Sequence, residues 1–383
     1  MNIVLAHGFR PFFLLLPLAA IAAVLPLPVL WLGWGDGTAL PAGLWHGHEQ
    51  IFGVLSGALA GFLLTALPSW TGKEPVTGRA LTLLVGLWLL GRIGFWLDAA
   101  LPPPVVAALD LGFLPALLLA ALRHGRPWEF FVAIALLAAA NAGFHLGRLG
   151  VIALAPDRAL HAGLDLFLIL IAIATGRILP VTLRAALVET GQPPQVRLAP
   201  GRRHLATVTL ALFAIADLTA PAHAVTGWIA LAAACAQADR MVELHHGRAL
   251  LRPQVLPFYL AQGWMVVGLG GLGLGILGAA LDAIAWRHAL GLGAATLVAL
   301  AVMSIVSLRH SGRPFPLPAA TWTAFALVTL AALLRVAVAH WAPQAMPVWG
   351  VTLPALLWAA GFLAWLRRFG PWLLAPRADG QPG

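Results

Sequence analysis

Two histidines and a glutamate lie together near the start of a long apolar stretch. His46, His48 and Glu49 precede an apolar run that continues to Pro68. In a helix His46 and Glu49 share one face, whereas His48 lies about 200° around the axis from His46, at about 100° per residue. Imidazole groups bind metal ions or move protons. Burying an ionisable group inside a membrane helix costs free energy, so a group found there usually has a partner or a function. The spacing therefore predicts one helix that offers donor atoms to two different neighbours.

The composition is that of a membrane protein. Of the 383 residues, 61% are hydrophobic and 10% are charged, and apolar runs long enough to cross a bilayer follow one another from end to end. The formal charge of +9 comes from basic residues in short loops between these runs, so nucleic acid is not expected as a partner. Cys235 is the single cysteine, which excludes thiolate metal clusters.

The apolar runs predict about twelve transmembrane helices, since each crossing needs about 20 residues. Their approximate ranges are 11–34, 44–68, 79–100, 105–122, 128–147, 158–187, 203–220, 222–238, 255–281, 283–308, 319–340 and 346–369. The seventh and eighth runs are short and are separated by little more than Pro221. We expect an all-α, polytopic bundle in one integral membrane domain, 1–383. The basic, Pro-rich loop 189–203 would join two six-helix halves, about 1–188 and 203–370.

Basic residues in alternate loops predict the orientation of the chain. Most of the 23 Lys and Arg residues lie at the chain ends or in loops after even-numbered runs, and the other loops contain only Arg148, Arg158 and Arg287. Positively charged loops remain on the cytoplasmic side of a membrane. Both termini are therefore predicted to be cytoplasmic, in a multi-pass protein of the cytoplasmic membrane.

This topology sorts the histidines into two layers. A histidine near a helix end is often only a polar residue at the membrane interface, but several outer ones lie about one turn inside an apolar run. Neutral imidazole is the commonest protein ligand for copper and for haem iron, so a metal site is the functional interpretation of the outer layer. The outer histidines that lie inside apolar runs are His46, His48, His145, His161 and His288.

Charged residues within the apolar runs suggest further roles. Arg92 and Asp110 fall at similar depth in consecutive antiparallel runs, so we predict an ion pair, because an unpaired charge there is expensive. Asp165, Asp217 and Arg335 could orient ligand histidines, relay protons or only pair with each other. Arg177 lies nearer the cytoplasm, where it could bind a lipid headgroup or a haem propionate, or extend its charge to the interface.

Four patches of the sequence form a recognisable set. They are HGFRPFFL at 7–14, the stretch 45–72 that begins WHGHE, GRILPVTLR at 176–184, and the stretch 287–314 that ends SLRHSGRP. These patches resemble the NnrS family, haem- and copper-containing bacterial membrane proteins linked to nitric oxide metabolism. The family is also expected to have twelve helices. The chain departs from the family pattern at Leu260-Ala261, where a histidine is expected after the leucine.

The resemblance implies a haem- and copper-binding protein of the bacterial inner membrane. It would act in the response to nitric oxide or nitrosative stress, by binding or by redox chemistry at a histidine-ligated metal, with nitric oxide or a related gas as ligand and the lipid bilayer as surroundings. Glu49, Asp165 and Arg177 would orient ligands or handle protons. The predicted metal ligands are His46, His48, His145 and His288, with His7 and His310 as a separate cytoplasmic-side pair.

Two other functions remain open at this point. A transporter of haem, a metal or a small ligand would suit a bundle of two halves with buried charges along a path. A quinol-linked oxidoreductase would instead use the haem to pass electrons to nitric oxide or oxygen. Metal stoichiometry, transport across proteoliposomes and turnover with quinol distinguish the three functions.

Overall fold

The computed structural model describes residues 3–31, 39–196 and 198–381, and the regular structure in these ranges is helical. This confirms the predicted all-α class for the described residues. The helices are α1 (Phe9–Ala22), α2 (Leu27–Trp31), α3 (Ala42–Thr71), α4 (Gly78–Trp96), α5 (Pro103–Leu122), α6 (Trp128–Arg148), α7 (Pro156–Glu189), α8 (Pro200–Thr219), α9 (Ala224–Met241), α10 (Leu256–Ile276), α11 (Ala283–His310), α12 (Thr321–Trp341) and α13 (Pro343–Leu373).

Ten candidate spans among the described residues are long and apolar enough to cross a membrane, with α1 and α2 together supplying one of them, Phe9–Leu30. The chain is thus a multi-pass membrane protein. The weak seventh and eighth runs form helices α8 and α9, which pack against each other but are not among the ten spans. The count of twelve and the cytoplasmic termini stay predictions. Positions 32–34 of the first predicted run lie outside the described residues.

The chain divides into two compact units. The first contains the described residues up to Gly163, together with Val302–Pro314 and the described residues from Phe362 onward. The second contains Leu164–Ala301 and Phe315–Gly361. The boundary at residues 163 and 164 lies within α7 and not in the loop 189–203. The division into halves 1–188 and 203–370 stays a prediction.

Helix α3 is the enclosed helix of the first unit. In its most apolar 18-residue stretch 94% of the residues are buried, against 39% for α4. A helix that is apolar on all sides belongs in an interior, and glycines let its neighbours come close. At Gly61, for example, an added Cβ atom would collide with the ring of Phe13 on α1. A π-helical segment, Glu49–Leu55, begins directly after His48; such segments are frequent at functional sites.

In the second unit, α9 packs between α8 and α10, and α10 packs against the first part of α11. Glycines make these close contacts possible. A Cβ atom at Gly293 would lie 2.6 Å from the ring of Trp264, and one at Gly271 would collide with the indole of Trp286. Helix packing therefore explains the glycines of these stretches that make close contacts, Gly268, Gly271, Gly273 and Gly293.

Candidate metal site

A cluster of buried polar side chains forms in the first unit, where α3 to α6 meet. The most exposed of them, Arg92, has only 7% of its surface accessible. Polar groups buried this deeply must form hydrogen bonds or ion pairs with one another, because they lack contact with water. We call this group the polar cluster; its members are His48 and Glu49 on α3, Arg92 on α4, Asp110 on α5, and Asn141 and His145 on α6.

Local backbone features make room for these side chains. Asp110 ends the first α-helical segment of α5, Pro103–Asp110, just before a two-residue break in the helix. At Gly53 a Cβ atom would collide with the guanidinium of Arg92. At Gly91 it would lie 2.5 Å from Asp110 Oδ1. Glycine at these two positions therefore creates the space in which the charged groups meet.

Replacing Gly91 with alanine should destabilise the protein, whereas replacing Gly86 on the same helix should not. A Cβ atom at Gly91 would also lie 3.2 Å from the Cα atom of Asp110, so α5 must shift, at a cost of about 1–3 kcal/mol. Gly86 has no such neighbour within 4 Å, and alanine there should gain up to about 1 kcal/mol of helix propensity. Thermal unfolding in detergent, followed by tryptophan fluorescence, compares the variants. Equal unfolding temperatures would contradict this account.

Arg92 bridges two carboxylates. Its Nη1 pairs with Glu49 Oε1, and its Nη2 lies 2.5 Å from Asp110 Oδ1. The structure thus places Arg92 and Asp110, which the sequence predicts as a pair, in direct contact. Two carboxylates and one guanidinium leave an excess negative charge when both imidazoles are neutral. Buried excess charge is costly, so the polar cluster favours one additional positive charge.

Asp110 also joins the two histidines. Its Oδ2 lies 3.1 Å from His145 Nε2 and 3.3 Å from His48 Nε2, and it accepts a hydrogen bond of 2.7 Å from Asn141 Nδ2. His48 Nε2 is in turn 2.9 Å from Asn141 Oδ1. These contacts make Nε2 the donor nitrogen of each neutral ring, which leaves the lone pair on Nδ1. Both Nδ1 atoms are buried: His48 Nδ1 lies 3.6 Å from Glu49 Oε1, and His145 Nδ1 has no hydrogen-bond partner in the described part of the chain.

Phenyl rings enclose His48. The ring of Phe95 stacks on the imidazole with centroids 3.7 Å apart and planes 13° apart. The centroids of Phe144 and Phe52 lie at 4.7 Å and 5.2 Å. Such apolar walls exclude water and strengthen the electrostatic interactions inside. They also fill the space that a porphyrin would need beside His48, so the packing there fits a single ion and not a haem.

Three members of the polar cluster could hold a metal ion: His48, Asp110 and His145. One possible ligand atom of each lies within 4.8 Å of the others. Imidazole nitrogen suits copper, zinc and iron, and two imidazoles with one carboxylate are also the donor set of non-haem iron sites. The excess negative charge of Glu49, Asp110 and Arg92 agrees with a bound cation. The donor set therefore fits a metal ion.

The other two predicted outer ligands have different surroundings. Among the described residues His46 is not part of the metal-binding group, and its Nδ1 lies 3.3 Å from the carbonyl oxygen of Ala23. His288 belongs to the second unit, where its Nδ1 donates to the carbonyl oxygen of Ile284 at 2.7 Å. Their roles as metal ligands stay predictions.

His7 and His310 both pack against Phe9 in the first unit. The centroid of the Phe9 ring lies 6.2 Å from that of His7 and 5.9 Å from that of His310. Burial lowers the pKa of His7, and the positive charges of Arg10 and Arg377 lower it further. The His7 imidazole is therefore neutral at neutral pH, which is the form that binds metals. A metal shared by His7 and His310 stays a prediction.

Of the remaining predicted residues, Glu49 lies inside the polar cluster, Asp165 pairs with Arg287 in the second unit, and Arg177 is exposed on α7. Asn141 was not predicted from the sequence. It lies four residues before His145 and therefore on the same face of α6, a spacing that could have revealed it.

Comparison with known families identifies the chain. The family model described as NnrS protein matches residues 3–377, nearly the whole sequence. The chain belongs to the NnrS family. A search of curated proteins finds no match. In this NnrS family protein the patch that begins WHGHE contributes His48, Glu49 and Gly53 to the polar cluster and its immediate surroundings.

Proposed function

We propose that His48, Asp110 and His145 hold a single copper ion inside the membrane domain. The observation that carries the proposal is two imidazoles and a carboxylate buried together, in a group of charges with an excess negative charge. Copper binds imidazole more tightly than the other common divalent metals do. When bound, such an ion would supply one-electron exchange and could bind a small gas ligand.

The chain's own residues would prepare this site in three ways. Asp110 Oδ2 lies 3.1 Å from His145 Nε2 and 3.3 Å from His48 Nε2 and so brings the two imidazoles together; a bound ion would take the place of the protons on these nitrogens. Arg92 holds Asp110 in place and balances part of its charge. The stacked ring of Phe95 keeps water away from His48.

We propose further that the ligand is nitric oxide or a related gas, and that the protein acts in nitrosative stress in the bacterial inner membrane. Family membership supports this, because the resemblance links the NnrS family to nitric oxide metabolism. The apolar walls also suit a small, nearly apolar gas that enters from the lipid. A haem would lie away from His48, and the histidines that could each bind one are His46, His288, His7 and His310.

Metal analysis of the purified full-length protein tests the proposal. After expression with copper and haem precursor supplied, we expect about one copper per chain, since the described residues contain one such donor group. Absence of copper would overturn the proposed copper site, and absence of a haem Soret band would exclude a bound haem. Steady consumption of nitric oxide with quinol would favour the oxidoreductase instead. Uptake of a metal or of haem into proteoliposomes, with little bound metal, would favour the transporter.

A further inference from the structure

The second unit contains another buried group of charges, separate from the proposed copper site. It consists of Asp165 on α7, Asp217 on α8 and Arg287 on α11. Asp165 is 1% exposed and Asp217 is 4% exposed. Among the described residues, Arg287 and Asp217 are the charged groups that face Asp165 from the neighbouring helices. Two carboxylates therefore compete for one guanidinium in a buried position.

The guanidinium is shared unequally. Arg287 Nη2 donates to both carboxylate oxygens of Asp217, at 2.6 Å and 2.7 Å. Asp165 receives one longer contact, 3.3 Å from Arg287 Nη1 to its Oδ1. Its other oxygen, Oδ2, is buried and has no hydrogen-bond partner in the described part of the chain. Arg287 is therefore neutralised by Asp217.

An ionised Asp165 would add an uncompensated negative charge to a helix that is apolar enough to span a membrane. Such a charge is expensive, and the cost falls when the carboxyl takes up a proton. A proton on Asp165 also leaves the short contacts between Arg287 and Asp217 unchanged. Both the charge balance and the unequal geometry point to Asp165 as the carboxyl that is neutral.

We propose that Asp165 is a proton-binding site, protonated at neutral pH, while Asp217 remains ionised against Arg287. Uptake or release of this proton changes the charge of the Asp165–Asp217–Arg287 group by one unit. A membrane protein can use such a group to take up or release a proton in step with another event. This inference does not depend on the copper site.

Asp98 in the first unit offers a matched control. It is also 1% exposed, but among the described residues it pairs with a guanidinium that no second carboxylate shares, with Arg148 Nη2 2.5 Å from its Oδ1. The backbone N–H of Leu40 donates to its Oδ2 at 3.2 Å. One carboxylate paired with one guanidinium carries no excess charge. Asp98 therefore serves as the buried carboxyl whose charge is already balanced.

Infrared spectroscopy of the full-length protein in lipid at neutral pH tests the proposal. We expect a carbonyl band of a protonated carboxylic acid that shifts in heavy water, is lost in Asp165→Asn and is retained in Asp98→Asn. Asp217→Asn should also remove this band, because Arg287 is then free to pair with an ionised Asp165. Arg287→Gln should strengthen the band, since both carboxyls then lack their cation.

Thermal unfolding gives an independent measurement. Asparagine has nearly the shape of a protonated aspartic acid, so Asp165→Asn should unfold close to the wild-type temperature, whereas Asp98→Asn should unfold at a clearly lower one. A wild-type spectrum without the band, or a band unchanged by Asp165→Asn, would overturn the proposal. If the band is missing and the unfolding temperature rises with sodium concentration, the group binds a cation in place of the proton. If Asp165→Asn does not fold, Asp217→Asn and Arg287→Gln decide by their opposite effects on the band.

Discussion

Replacing either His48 or His145 with glutamine should abolish stoichiometric copper binding. Each change removes one of the two imidazoles in the donor group, whose possible ligand atoms lie within 4.8 Å of one another. Loss of an outer-shell partner already weakens metal sites by about 10–100-fold, so loss of a direct ligand should weaken this one by more than about 100-fold. Glutamine fills much of the space of the imidazole. Copper content of the purified variants and titration against a competing chelator measure the effect.

Two further variants make this test specific. His245→Gln should keep its copper, because His245 is exposed and its Nε2 lies 2.9 Å from the Tyr259 hydroxyl in the second unit. His46→Gln distinguishes the ligand set His48, Asp110 and His145 from the set predicted from the sequence, which includes His46. It should also keep its copper if His48, Asp110 and His145 are the ligands. Normal copper content in both His48→Gln and His145→Gln would contradict the assigned site.

The sequence indicates candidate functional residues, but it says less about which of them are in contact in the folded protein. The separation of His46 from His48 follows from helix geometry alone. Arg92 and Asp110 fall at matching depth because consecutive membrane helices are antiparallel, and the structure brings them into contact. By contrast, α3 is apolar on nearly every side, so its pattern does not indicate which helices surround it. That His145 comes to His48, and with it Asn141, depends on this packing.

Hydropathy has a similar limit for α8 and α9. Both helices form where apolar runs are predicted, but α8 also contains Arg202, Arg203 and Asp217. In the structure Asp217 pairs with Arg287, a contact between residues 70 positions apart in the chain. A hydropathy average counts such a charge as a cost, although its partner offsets part of that cost. The number of crossings in this region therefore depends on tertiary contacts that a local average does not contain.

Replacing Arg92 with methionine should destabilise the protein by about 3–5 kcal/mol, the range for removing one partner of a buried ion pair. The change leaves Glu49 and Asp110, each 3% exposed, without their shared cation. Arg79→Met is the matched control, because Arg79 is exposed near the start of the same helix. It should change the unfolding temperature very little. An equal effect of the two changes would show that the bridge contributes nothing to stability.

Two additions to the Arg92→Met experiment connect the bridge to the copper site. Neutralising the stranded groups with Glu49→Gln and Asp110→Asn should recover part of the lost stability, since the penalty comes from unpaired charge and not from lost packing. Copper should raise the unfolding temperature of Arg92→Met by more than that of the wild type, because a bound cation replaces the missing positive charge and stabilises the folded state by mass action. His48→Gln in the same background should remove this extra gain. If copper raised the unfolding temperatures of Arg92→Met and wild type equally, the charge of Arg92 would have no effect on copper binding.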